Sequence, residues 1–278
     1  MEFKINETLV VSDMDGTLLN SDKKIDDYSL KVLKELQDKG LSFSLATSRP
    51  YGAIKRYCRE LDVRVPMITS SGTIIYDFIT DKIIKAEILD RKVLDKIRTI
   101  IPWNNIIIHT TDNLYMNEAS PRHKFFLKGN EFVVNENDLF YPGKITCAED
   151  LDKFDEICQI SMGIDGDDPT ELINQLNEVL KDEDVNIFYT GDMIVGVIKK
   201  GVSKAKAAFY LADYLGIDKD NIIAFGDNMN DYEMLENIKH SVAMENAVDE
   251  LKAIAEKTTT DNNSSGVVYA LLNIYKLV

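Results

Sequence analysis

Two carboxylates stand one residue apart in Val10-Val11-Ser12-Asp13-Met14-Asp15-Gly16-Thr17, directly behind an apolar run and directly before a glycine. Three distant segments carry complementary groups: Ala46-Thr47-Ser48-Arg49, Gly201-Val202-Ser203-Lys204 and Gly226-Asp227-Asn228-Met229-Asn230-Asp231. A carboxylate can attack a phosphoryl group and divide hydrolysis into two easier steps. A second carboxyl two residues away can protonate the departing oxygen and afterwards take a proton from water. Charge is the obstacle, because each like-charge contact near ~4 Å costs about 4 kcal/mol at an effective dielectric of ~20, and bare carboxylates would expel a phosphate. Asp227 adds another hard oxygen, and carboxylates with water and a phosphate oxygen are the ligands Mg²⁺ prefers. Lys204 supplies a fixed positive charge. Thr47 and Asn230 offer neutral hydrogen bonds to phosphoryl oxygens, and backbone N–H groups after Asp13 can form a small anion nest whose turn Gly16 permits.

Each segment alone has an ordinary explanation. Asp and Gly close strands, Thr47-Ser48-Arg49-Pro50 is a good helix start, and Gly226-Asp227-Asn228 is a turn. Asp231 suits the dipole of a following helix, and a lysine in an exposed first turn is usually solvated. The conjunction argues for a site if the elements bring the four segments together.

Those elements read as an α/β core. Leu9 to Ser12 is an apolar run of the kind buried on both faces of a sheet. Leu30, Leu33 and Leu36 recur at helical spacing over Asp27 to Lys39, with Gly40 at the helix end. Leu41 to Ala46 is a second strand; a helix from Pro50 buries Ile54, Tyr57, Cys58 and Leu61; Val65 to Thr69 is a third strand. This βαβαβ order implies a Rossmann-like, doubly wound parallel sheet with ligands at its carboxyl ends. Near the C-terminus a helix over Ser203 to Leu215, a strand over Asn221 to Phe225, a short helix over Asn230 to Leu235, a strand over Ser241 to Met244 and a last helix from Ser264 to Lys276 extend the same pattern. Residues 83–194 differ, with polar strands, the aromatic cluster Lys124-Phe125-Phe126 and an acidic-capped helix start at Asp168-Pro169-Thr170-Glu171. They read as an α+β cap domain inserted into a core formed by residues 1–82 and 195–278.

Composition bounds the rest. A chain of 278 residues exceeds the ~100 to 200 of a typical domain, which suits a core plus an insertion. Its net charge of -15 repels phosphate backbones and anionic lipid, so nucleic acid and membrane partners are not expected. The apolar runs are short and the N-terminus lacks a signal core, which places the chain in the cytoplasm. Cys58, Cys147 and Cys158 form no CxxC pair, and His109, His123 and His240 lack metal-ligand spacing, so neither disulfide framework nor zinc site is expected.

The four segments resemble the motifs of the haloacid dehalogenase superfamily, and their spacing is similar to that of Cof-type phosphatases with a type IIB cap. The likeness runs from Leu9 through Gly266. It implies Asp13 as nucleophile and Asp15 as general acid and base. Asp13, the backbone carbonyl of Asp15 and Asp227 would ligate Mg²⁺, with Asp231 close behind the metal; Thr47, Ser48, Lys204 and Asn230 would bind the phosphoryl group. Ser48, Ser71 and Ala205 depart from the glycine, asparagine and glycine common in that family. The implied activity is Mg²⁺-dependent hydrolysis of a small phosphate monoester such as a sugar phosphate, the cap setting specificity. A phosphomutase of the same superfamily would need a second cationic site, for which Arg122, His123 and Lys124 are candidates. A non-catalytic sensor or scaffold would have lost a carboxylate, and Asp13, Asp15 and Asp227 are all present. Tyr115, Asn117, Arg122, His123, Tyr189 and Asp192 are candidates for touching the leaving group.

Overall fold

The structure, a computed structural model, describes residues 3–112, 114–117, 119–120, 154–164, 166, 168–189 and 193–277. Among them the strands are β1 (Leu9–Ser12), β2 (Ser42–Leu45), β3 (Met67–Thr69), β4 (Ile74–Asp77), β5 (Lys82–Ala86), β6 (Ile106–Thr110), β7 (Leu114–Met116), β8 (Ile157–Gly163), β9 (Val185–Tyr189), β10 (Ile194–Lys199), β11 (Ile222–Gly226), β12 (His240–Ala243) and β13 (Lys257–Thr258). The α-helices are α1 (Asp27–Asp38), α2 (Lys55–Leu61), α3 (Arg91–Ile97), α4 (Thr170–Val179), α5 (Lys204–Leu215), α6 (Tyr232–Asn237), α7 (Asp249–Ile254) and α8 (Gly266–Tyr269). No described helix is long and apolar enough to cross a membrane. The chain divides into two compact units, Met1–Ser48 with Tyr57–Ile84 and Ser203–Val278, and Arg49–Arg56 with Lys85–Val202.

In the first unit a parallel sheet runs in the order β13-β12-β11-β1-β2. Leu9, Val10 and Val11 are wholly buried, as an apolar run covered on both faces requires. Register aligns the strand ends, since Ser12 pairs with Leu45 on one side and with Phe225 on the other. Asp13, Ala46 and Gly226 therefore leave the sheet at one level. The chain proceeds from β1 to β2 in one direction and from β11 through β13 in the other, so β1 and β11 flank a topological switch point, where α/β sheets collect ligands. Asp26 caps α1 by accepting from the Ser29 N–H at 2.9 Å, and Val32, Leu33 and Leu36 fill its buried face. Ser203 caps α5, accepting from the Lys206 N–H at 3.3 Å, so Lys204 occupies the first helical position.

Three elements differ from their sequence reading. The helix expected from Pro50 opens as a 3₁₀ turn, Tyr51–Ile54, after an extended Pro50, and is α-helical only over Lys55–Leu61. The third strand is shorter, Met67–Thr69, and meets the parallel sheet only through one bridge between Ala46 and Ile68. Ser70, Ser71 and Gly72 all take positive φ, of 48°, 59° and 95°, and turn the chain back so that β3 pairs antiparallel with β4 in the sheet β3-β4-β5. The last helix is not continuous: Ser265 at φ 55° separates a 3₁₀ turn from α8, and Ala270–Ile274 is a π-helical turn.

The second unit is built on an antiparallel sheet, β7-β6-β8-β10-β9. Strand alternation sends Ile106, Ile108, Ile160, Met162, Val195 and Val197 into one core with Val93, Leu94 and Ile97 of α3 and Leu176 of α4. His109, Gln159 and Ser161 occupy the opposite face and are nonetheless buried. At the start of α4 the Asp168 carboxylate accepts from the Thr170 N–H at 2.9 Å.

Candidate active site

Asp13 follows β1 directly, and its N–H donates to Phe225 O at 3.0 Å, continuing the parallel ladder by one rung. Its side chain turns into a buried cluster. Lys204 Nζ lies 2.6 Å from Asp13 Oδ1 and 2.6 Å from Asp231 Oδ1, with all three side chains nearly inaccessible. The other Asp231 oxygen, Oδ2, accepts from the backbone N–H groups of Asp227 at 3.1 Å and Asn228 at 3.4 Å. Asp231 thus shapes the loop after β11 as well as pairing with the lysine. Thr17 Oγ1 donates to Asp227 Oδ1 at 2.7 Å and orients that carboxylate.

One ligand oxygen from each of Asp13, Asp227 and Asp231 falls within 4.8 Å of the others. Three carboxylates against one ammonium leave a formal excess of two negative charges in a buried site. Burial, then the charge of Asp231, pushes Asp227 up to about 7. Asp13 is raised well above the carboxylate range, first by burial and then by Asp231, against the pull of Lys204. Burial would lower Lys204, but the charges of Asp13 and Asp231 outweigh it and hold the ammonium above its ordinary value. All-oxygen donors, a double negative excess and raised carboxylates suit a hard divalent cation, so the residues present fit a metal ion.

Asp15 lies outside the triad. Its carboxylate is partly exposed and pairs through Oδ1 with Lys23 Nζ at 2.8 Å. Gly16, at φ 83°, lets the chain turn directly after the two acids, and a Cβ there would stand 2.8 Å from Asp227 Cγ. Thr47 is buried beyond β2; its N–H donates to Ile68 O and its carbonyl accepts from the Ser71 N–H, both at 3.0 Å. Asn230 Nδ2 donates to Ser48 Oγ at 3.3 Å, linking the loops after β2 and β11, while Asn230 Oδ1 is buried without a partner. Gly72 abuts the start of α5, since a Cβ on it would meet Ser203 O at 2.5 Å. The Ser71 hydroxyl beside it is buried without a partner.

Sequence reasoning gave no role to Thr17 or Lys23. Thr17 follows Asp13 by four residues, and a hydroxyl so close to two acids was the available signal; Lys23 in Asn20-Ser21-Asp22-Lys23-Lys24 offered none, because its pairing depends on a turn. In the second unit Tyr115 packs on Phe154 with ring centroids 4.4 Å apart and donates to Asp112 Oδ2 at 3.1 Å. Tyr189 lies against the same apolar cluster, and Asn117 Oδ1 accepts from the Ala119 N–H at 2.8 Å. Arg122, His123, Lys124, Cys147 and Asp192 lie outside the described residues.

The sequence model of the family described as haloacid dehalogenase-like hydrolase matches residues 10–271. The 5-amino-6-(5-phospho-D-ribitylamino)uracil phosphatase YitU of Bacillus subtilis is 26% identical over 276 residues, covering 97% of this chain and 98% of that protein. An HMP-PP phosphatase from an Enterobacter species is 31% identical over 251 residues, covering 88% and 86%. A haloacid dehalogenase-like hydrolase from Bacteroides thetaiotaomicron has the same fold, with a TM-score of 0.79 at 22% identity over 96% of this chain and 99% of that one.

Proposed function

Because the chain belongs to the haloacid dehalogenase-like hydrolases, we propose that Asp13 is its nucleophile, Asp15 its general acid and base, and Thr47, Ser48, Lys204 and Asn230 its phosphoryl-binding groups. It is a Cof-type phosphatase with a IIB-like cap, a phosphoric monoester hydrolase for small phosphorylated metabolites. The residue assignment rests on one observation above all: a buried ammonium joins Asp13 to Asp231 inside a triad of carboxylates whose oxygens lie close enough together to hold one metal ion.

In the first half-reaction an Asp13 carboxylate oxygen bonds to phosphorus as the ester P–O bond breaks, and Asp15 gives its proton to the departing oxygen, releasing an alcohol. In the second, water attacks the phosphorus of the aspartyl phosphate and passes its proton to Asp15. The bond to Asp13 breaks, inorganic phosphate leaves, and both carboxyls are restored. Lys204, bonded to the attacking carboxylate, is given the role of stabilising charge on the phosphoryl oxygens. Asp13, the Asp15 carbonyl and Asp227 would hold Mg²⁺, with Asp231 behind them. When bound, such an ion neutralises phosphoryl charge.

The proposed substrates are sugar phosphates or similar metabolites, with specificity set by the inserted cap read at residues 83–194. Two relatives are named for a phosphoribityl-aminouracil and for HMP-PP, which places both compounds on the test panel. Phosphate release is to be measured over those esters, sugar phosphates, nucleotides, flavin mononucleotide and pyridoxal phosphate, with and without Mg²⁺. Metal-dependent turnover that Asp13→Ala abolishes is expected. An Asp13→Ala enzyme as fast as wild type would overturn the covalent route.

A further inference from the structure

We propose that Lys23 is a positioning residue for Asp15, fixing the carboxyl that moves the leaving-group proton; the inference rests on the acid and base role given to Asp15 above. Contact between them is direct, 2.8 Å from Lys23 Nζ to Asp15 Oδ1. An exposed pair of this kind is ordinarily weak, because a long side chain must be ordered to make it. The backbone sets this pair apart. Lys23 takes φ 57°, the left-handed region that glycine, asparagine and aspartate occupy with least cost. A lysine placed where its backbone is least comfortable points to the side chain as the requirement, and such outliers gather at functional sites.

The surrounding bonds fix that conformation. Lys23 N–H donates to Asn20 O, and Asn20 N–H donates to Lys24 O, both at 2.9 Å. Asn20 Oδ1 accepts from the N–H groups of Asp22 and Lys24 at 3.0 Å each. The carbonyl of Lys23 itself accepts from the hydroxyl of Tyr57, a fully buried side chain, at 3.0 Å. The arm leading into the turn is also held, since Asn262 Nδ2 donates to Leu19 O at 2.8 Å and Asn263 Oδ1 accepts from the Ser21 N–H at 3.0 Å. Leu19 bridges back to Asp15, so the turn that follows stands beside the residue it serves. The ammonium is carried on a stiff support, and by holding one oxygen it restricts rotation of the Asp15 carboxyl. Positioning of this kind matters because proton transfer needs hydrogen-bond reach to the leaving oxygen.

The test compares two Mg²⁺-dependent substrates: an alkyl phosphate turned over by the wild type, whose leaving oxygen needs a proton, and p-nitrophenyl phosphate, whose leaving oxygen does not. Lys23→Asn keeps a residue suited to the left-handed backbone while removing the ammonium. It should lower kcat/KM for the alkyl ester by roughly 10- to 100-fold, chiefly through kcat, and for the aryl ester far less. Lys23→Arg should recover most of the loss. Asp15→Asn should show the same preference for the aryl ester, more strongly. If Lys23→Asn slows both esters equally or neither, while Asp15→Asn keeps its preference, the role of Lys23 is wrong and that of Asp15 stands. An Asp15→Asn enzyme without that preference overturns both.

Discussion

Asp227 shows what crowding three carboxylates around one ammonium does to a single group. Its folded-state value of about 7 lies above the ordinary 3.8, so folding takes up a proton between those limits. The stability this group contributes is therefore present below about pH 4 and lost as pH rises through about 7. A divalent ion competes for the same oxygens, so the rise in melting temperature produced by Mg²⁺ should grow from pH 5 to pH 8. Asp227→Asn removes one like charge and keeps an oxygen for Thr17. At pH 8 without metal it should melt at or above the wild-type temperature, while losing most of the Mg²⁺ response. Thermal melts with Mg²⁺ and with a chelator, across that pH range, check both outcomes; a pH-independent Mg²⁺ shift would contradict them. Asp13, Asp227 and Lys204 were legible as a group because each sits in a short segment at the end of an apolar run or the start of a helix. The pairings of Lys23 with Asp15 and of Asp231 with Lys204 were not, because they depend on turn conformation and side-chain direction.

At the scale of elements, parallel register brings the site together, and one turn decides whether it closes. Gly16 carries the chain from Asp13 and Asp15 past Asp227 at φ 83°, and Asn246 Nδ2 holds its carbonyl at 2.8 Å. Gly16→Ala therefore meets two obstacles, a left-handed backbone and a Cβ lodged against the Asp227 carboxyl. It should destabilise the protein by about 1 to 3 kcal/mol and lower kcat/KM by roughly 100-fold, since a ~1 Å displacement of reacting groups has that effect. Urea unfolding and steady-state kinetics on one variant check it; wild-type metal affinity and rate would show that the turn has slack. Strands β1, β2 and β11 were readable from their apolar runs and α5 from its Ser203 cap. The departure of β3 into a hairpin was not, because left-handed φ at Ser70 and Ser71 is not a conformation that serine announces. The π-helical turn at Ala270–Ile274 is equally silent in an apolar sequence that suits an ordinary helix.

For the molecule as a whole, two units with separate cores carry buried groups that titrate in opposite senses. The metal-free first unit loses the Asp227 contribution as pH rises. The second holds His109 on β6, where burial lowers its value to about 3 from an ordinary 6.5. The ring is uncharged at neutral pH, with Nε2 3.2 Å from Ser161 Oγ and Nδ1 buried without a partner. Because the unfolded chain would protonate this imidazole first, its contribution is present above about pH 6.5 and lost as pH falls toward about 3. The sequence marks this region only as polar strands in an α+β insertion; which face of β6 and β8 is polar, and that it is buried, are tertiary facts that the residue pattern does not contain. Acid should therefore act first on the second unit. Amide hydrogen exchange at pH 4.5, corrected for intrinsic rates, should show lost protection across Ile106–Thr110 and Ile157–Gly163 while Leu9–Ser12 and Ile222–Gly226 stay protected. His109→Leu should retain protection in the second unit at that pH. Equal loss in both units, or no effect of His109→Leu, would assign acid sensitivity to groups other than this histidine.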